Sequence, residues 1–230
     1  MKTYLVGAGL PDVYVNILAN RGRVIKLPPS RVVPAPTGTH PDTLIGKVGD
    51  ALFVPEGETE MMKTLDESGI KYTVSAPLGS GYPAECAMNF FTVGGLFVAK
   101  ADSVAPSARD LARRAGYELV DVRQGYAHCA TTVAGSGVVT ADTGIYAALS
   151  RRGVPSLLIK AGSILLPPFE YGFIGGASGM IDEGTIMFFG SLDEHPSGVE
   201  IRAFLSSLGV KIVEGDGKLV DAGGFIALDT

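Results

Sequence analysis

Leu149-Ser150-Arg151-Arg152-Gly153, followed by Leu157-Leu158-Ile159, reads as the last turn of a helix, a glycine at its end and then a strand. The same phrase recurs four more times. Leu18-Ala19-Asn20-Arg21-Gly22 precedes Val24–Leu27, and Leu65-Asp66-Glu67-Ser68-Gly69 precedes Tyr72–Val74. Ala112-Arg113-Arg114-Ala115-Gly116 precedes Tyr117–Val120, and Leu205-Ser206-Ser207-Leu208-Gly209 precedes Val210–Val213. At each ending a glycine supplies the positive φ that closes the helix. The glycines are 47, 47, 37 and 56 residues apart, and the interval from Gly209 through both termini to Gly22 is 43. The period therefore closes on the chain's own length.

Each helix is preceded by an apolar strand: Tyr4–Val6, Ala51–Val54, Leu96–Ala99, Gly137–Thr140 and Ile186–Phe189. Before each of those a further short strand is expected, at Thr43–Val48, Ala87–Val93, Cys129–Ala134, Phe173–Met180 and Gly223–Leu228. The unit is strand, strand, helix, strand, which places the chain in the α/β class. Asp110–Arg114 and Glu200–Leu205 carry the alternation of an amphipathic helix. Five such units predict a five-fold pseudosymmetric α/β propeller. It is a single domain over residues 1–230, closed by the C-terminal strand beside the N-terminal one with no sheet edge at the joint. The alternative is an open α/β sheet in two halves, split near Gly79 to Pro83.

Composition narrows the functional classes. The chain has 230 residues, 46% hydrophobic and 19% charged, enough for a sizeable core and too apolar for disorder. The net charge of −5 gives no support to a nucleic-acid partner. No apolar run reaches the length of a membrane helix, and Met1–Gly9 lacks a signal-peptide core, so a cytoplasmic protein is expected. Two cysteines do not make a disulfide scaffold or a Cys-only zinc site, and no cofactor or metal is implied. Oligomeric state is not legible. Gly7-Ala8-Gly9-Leu10-Pro11 lacks the third glycine and the later acid of a dinucleotide loop.

A closed set of five such units resembles the pentein fold, that of deiminases, dimethylarginine dimethylaminohydrolases and amidinotransferases. Asp121–Cys129 and Tyr171–Gly179 resemble more closely a bacterial domain family of unknown function with that fold. The resemblance implies a small-molecule site for guanidine-like compounds. The enzymes of the fold carry a nucleophilic Cys after a glycine-rich turn in the last unit. Here that stretch reads Asp221-Ala222-Gly223-Gly224-Phe225-Ile226-Ala227-Leu228, with Ala227 about where the Cys would stand. A binding protein for a small cationic ligand is the expectation. A hydrolase or transferase with Cys129 as a displaced nucleophile is the alternative.

Cys86 and Cys129 lie 43 residues apart, about one unit, and both are expected near the central axis. His128 adjoins Cys129, and neighbours on a strand face opposite ways, so both share a site only if a turn or bulge intervenes. Asp142 and His195 are the other candidate acid–base groups for Cys129. His40 and His195, each before a proline, read as surface turns. Asp42, Glu85, Glu170 and Asp221 recur near unit starts and align as an acidic mouth suited to a cation. The expected ligand-binding set is Asp42, Glu85, Asn89 and Asp221. The glycines of Gly172–Gly179 read as close packing.

Overall fold

The computed structural model describes residues 2–230. Its elements follow the repeat. The first are β1 (Lys2–Gly7), α1 (Asp12–Ala19) and β2 (Arg23–Leu27). A short α2 (Pro41–Leu44) leads into β3 (Gly46–Val48), β4 (Ala51–Pro55), α3 (Thr59–Glu67) and β5 (Thr73–Ser75). Next come β6 (Phe91–Val93), β7 (Leu96–Ala99), α4 (Pro106–Arg114) and β8 (Glu118–Asp121), then β9 (Thr131–Ala134), β10 (Gly137–Thr140), α5 (Thr143–Ser150) and β11 (Ser156–Leu158). The chain ends through β12 (Ile164–Leu165), β13 (Ser178–Asp182), β14 (Thr185–Phe188), α6 (Gly198–Ser207), β15 (Lys211–Glu214), β16 (Leu219–Val220) and β17 (Phe225–Asp229).

Five three-stranded sheets result, ordered β17-β1-β2, β3-β4-β5, β6-β7-β8, β9-β10-β11 and β13-β14-β15. In each, the central strand runs antiparallel to the first and parallel to the third, with the helix as crossover. β17 pairs with β1, Phe225 opposite Val6 and Ile226 opposite Leu5, so the two ends of the described chain share one sheet. That pairing argues against two separate halves, as does a core cluster joining Leu5, Ile226 and Leu228 to Val48, Phe53 and Phe97. The joint expected between the C-terminal and N-terminal strands is thus paired, but the sheets do not join into one closed sheet. Among the described residues the five sheets share no paired strand. The first strands meet by packing instead, β3 against β6, β9 against β13 and β13 against β17.

The repeat's cap holds at four of five places. Gly69, Gly116, Gly153 and Gly209 have φ of 73°, 85°, 77° and 73°. The next residue's N–H reaches back into the helix at each: Ile70 to Leu65, Tyr117 to Ala112, Val154 to Leu149 and Val210 to Leu205. Gly22 is the exception. Its φ is not positive, and it is needed because a Cβ there would lie 2.3 Å from the Lys2 carbonyl oxygen. The leading strands are also shorter than the sequence suggests. Thr43 is in α2, Cys129 is in a turn and Phe173 lies outside any strand, because each first strand is preceded by an irregular segment. Among the described residues no helix is long and apolar enough to cross a membrane.

Candidate functional site

The irregular segments before the first strands converge on a buried cluster. Asn89 stands at its centre, 1% exposed. Its Nδ2 donates to the Asp42 carbonyl (3.0 Å) and to Cys129 Sγ (2.8 Å). Its Oδ1 accepts from the backbone N–H of His128 (2.7 Å) and of Cys129 (3.1 Å). One amide thus spends both donors and both acceptor sites holding three segments together. His128 and Cys129 share the turn before β9, which removes the strand alternation that had set them on opposite faces.

Asp42 is 3% exposed. Its N–H donates to the Gly223 carbonyl, and its Oδ1 accepts from Thr43 Oγ1 at 3.3 Å. Oδ2 is buried with no well-aligned partner, although the Cys129 thiol lies close enough to pull the Asp42 pKa down somewhat. Burial, and then the Asp221 carboxylate, push the Asp42 pKa up to about 7. Asp221 is 4% exposed and raised by burial to about 6. It accepts from Phe173 N–H (2.8 Å) and Gly223 N–H (3.1 Å), and both bonds favour its charged form.

The glycine run makes room for this carboxylate. A Cβ on Gly172 or Gly176 would lie 2.4 or 1.9 Å from Asp221 atoms, and one on Gly175 would lie 2.3 Å from the His128 carbonyl oxygen. The expectation of close packing is met, and one N–H within the run, that of Phe173, serves an anion as well.

His40 faces Asp221, Nδ1 to Oδ1 3.5 Å, and is 3% exposed. It is not a surface turn residue: Gly223, with φ 77° and no Cβ, lets the imidazole pack against the backbone of the last unit. Burial pushes its pKa down to about 4, so it meets Asp221 as a neutral ring at physiological pH. His195 is buried as well, with Nδ1 accepting from Ser197 N–H at 3.1 Å.

The remaining expected residues divide. Cys129 is 4% exposed, 3.7 Å from Thr43 Oγ1, and its thiol is pushed well above its ordinary value by burial and by Asp42 and Asp221. His128 keeps part of its surface open to a cavity, yet enough protein surrounds the ring to lower its pKa to about 4. Glu85 accepts from the Tyr126 hydroxyl, whose ring lies between Tyr82 and Phe173. Glu170 is exposed. Of the four aligned acids only Asp42 and Asp221 come close enough for one to affect the other, and of these Asp42 alone lines the large cavity. Asp142 caps α5, its Oδ1 accepting from Ile145 N–H at 2.8 Å, and lines a smaller recess of about 130 Å³ with Lys160. Neither Asp142 nor His195 is brought to Cys129, because each is bound into its own helix or turn. Cys86 is buried against Gly125 and raised to about 12, by burial first and then by Glu85.

All five first strands line one cavity of about 500 Å³, with Asp42 and His128 among its wall residues. Phe91, Thr132, Ser178 and Phe225 form part of its walls, and Lys2, Lys47 and Asp229 also line it. Thr131 Oγ1, buried and unpartnered, belongs to the same wall as Asp42. Among the described residues no group of three or more His, Cys, Asp or Glu side chains is placed to hold a metal ion.

A family model described as a family of unknown function (DUF6873) matches residues 5–226. The chain belongs to the DUF6873 family. No curated protein matches it. Among solved structures, this DUF6873 chain is similar to dimethylarginine dimethylaminohydrolase from Pseudomonas aeruginosa complexed with citrulline. The TM-score is 0.53 at 12% identity, over 93% of this chain and 91% of that one. A second dimethylarginine dimethylaminohydrolase, an adduct with S-methyl-L-thiocitrulline, gives 0.56 at 12% identity over 98% of both chains. An amidinotransferase of saxitoxin biosynthesis from Microseira wollei gives 0.55 at 10% identity, over 93% and 88%. These likenesses show a mixed α/β fold of the pentein kind.

Two site residues escaped the sequence reading. His40 carries no local signal of burial, since its contact comes from Gly223, far along the chain. Lys47 reads as an ordinary strand lysine until β3 is placed on the cavity wall.

Proposed function

We propose that the protein binds a small cationic molecule, a guanidine or an amine, in the cavity between the first strands, with Asp42 as its acidic end and the Asp221 carboxylate buried behind it. In this reading the five units surround the cavity as a closed propeller. The observation that carries it is the Asp42 carboxylate, buried in the wall with Oδ2 unpartnered and a second carboxylate close by. Two such groups without a cation raise one another's pKa, and a bound guanidinium or ammonium removes that cost. Thermal melts with arginine, agmatine and a matched neutral amide test it. A stabilisation that grows with the logarithm of cation concentration and disappears in Asp42→Asn supports the site. Equal shifts with the neutral amide, or none, refute it.

Catalysis by Cys129 is the less favoured reading. The nucleophile is the thiolate, and here burial and two carboxylates oppose thiolate formation. Iodoacetamide near neutral pH is expected to leave Cys129 unmodified in the folded protein and to label it in urea, read by peptide mass. Rapid labelling of folded Cys129 would restore the enzymatic alternative.

A further inference from the structure

The smaller recess, of about 130 Å³, shares no wall residue with the first-strand cavity. It opens beyond the carboxyl ends of the parallel strands β10 and β11, where α/β units receive ligands. Thr140 and Leu158 are paired there, and two residues past each stand Asp142 and Lys160. The two side chains thus leave neighbouring strands, which lie about 4.8 Å apart. The walls are pinned. Lys160 N–H donates to Ser197 Oγ (3.1 Å), Asp142 N–H to Thr140 Oγ1 (3.1 Å) and Gly172 N–H to the Ile164 carbonyl (2.8 Å). The rim turns at Gly162 and Ser163, with φ of 88° and 63°, and Ser163 is the one non-glycine of positive φ among the described residues. Such a backbone persists where its surroundings hold it.

Two opposite charges line this recess without meeting. Asp142 Oδ1 is spent on the Ile145 N–H, while among the described residues Oδ2 has no hydrogen-bond partner. The Lys160 ammonium has none either, and the two side chains form no ion pair with each other or with a third group. A carboxylate and an ammonium held apart across an opening are complementary to a molecule that brings an ammonium to the first and a carboxylate to the second. Ile159, Phe173 and Ile174 supply apolar surface beside them.

We propose that this recess is a binding site for a small α-amino acid, its ammonium on Asp142, its carboxylate on Lys160 and its side chain against Ile159, Phe173 and Ile174. An α-amino acid carries both charges on one carbon atom, the shortest separation a zwitterion allows, and that suits side chains from neighbouring strand ends. Size sets the second limit. A cavity of roughly 150 Å³ takes one benzene molecule, so this one takes a residue with a side chain of a few atoms. The site is independent of the cationic ligand proposed for the larger cavity. The probes are alanine (both charges), ethylamine (cation only), propionate (carboxylate only) and phenylalanine (both charges, oversized), titrated calorimetrically into the full chain near neutral pH.

Alanine is expected to bind roughly tenfold more tightly than ethylamine or propionate, as one added charge-assisted hydrogen bond provides, and tenfold more tightly than phenylalanine. Lys160→Met keeps the stem of an exposed side chain and removes its charge. Asp142→Asn removes the other charge and keeps the helix cap, because asparagine caps a helix as well as aspartate does. Each variant is expected to weaken alanine about tenfold, Lys160→Met to the level of ethylamine and Asp142→Asn to that of propionate. Unaltered alanine affinity in either variant would overturn the site, since both charges are required. So would phenylalanine binding as tightly as alanine, or no binding of alanine to the native chain.

Discussion

Asn89→Leu is expected to destabilise the protein by about 4 kcal/mol, enough to halve the stability of an ordinary domain. The side chain keeps its branched shape, with methyl groups in place of the amide atoms, and loses every hydrogen bond. The N–H groups of His128 and Cys129 and the Asp42 carbonyl then lose their partner in a largely buried region. Each orphaned buried group costs about 1–3 kcal/mol. Urea midpoints at constant slope measure the loss. Asp142→Ala is the comparison. It removes one helix cap at a half-buried position, and its expected cost is about 1 kcal/mol. Equal losses in the two variants would show that Asn89 does not organise the cluster.

The contrast between these two residues shows what a sequence can carry. The helix-end glycines are local features, because a cap is written in five consecutive residues, and they lead directly to the units and their order. Asp142 is equally local, an acid in front of a helix, but its role there is structural. Asn89 was legible as a candidate, whereas its four bonds were not, since they join segments about forty residues apart on either side. The same holds for His40. Its Pro-flanked position signals a turn, and only the packing of Gly223 against it turns that turn inward. The grouping of the acids was half legible. The period aligned Asp42, Glu85, Glu170 and Asp221, but the irregular segments before the strands differ between units, so two carboxylates meet and two do not. Gly22 makes the same point at the level of the fold: it keeps the repeat's spelling while serving a close approach to Lys2 rather than a positive φ.

Asp42→Asn is expected to stabilise the ligand-free protein at pH 8 and to lose that advantage as the pH falls. The amide is nearly isosteric with the protonated carboxyl. In the native state burial and Asp221 raise the Asp42 pKa to about 7, against an ordinary 3.8, so between those values the folded chain holds a proton that the unfolded chain has released. Stability conferred by that proton is full below about pH 4 and declines as pH rises to about 7, after which the buried charge is borne in full. The shift corresponds to an upper figure of about 4 kcal/mol at pH 8, or on the order of 10 °C in melting temperature. The Asp221 carboxyl, raised to about 6, slopes the same way. His40 and His128, lowered to about 4, slope oppositely, since the unfolded chain alone is protonated between there and 6.5. The native pH profile is therefore flattened on its acid side, and the difference between variant and native melts isolates Asp42. A gain at pH 8 that shrinks to nothing by pH 4 is the expected curve. A variant less stable than the native protein at pH 8 would mean that the ionised carboxylate is already satisfied, and the case for a cation there would fall with it. With a bound cation the sign reverses, because the ligand stabilises only the chain that keeps its charge.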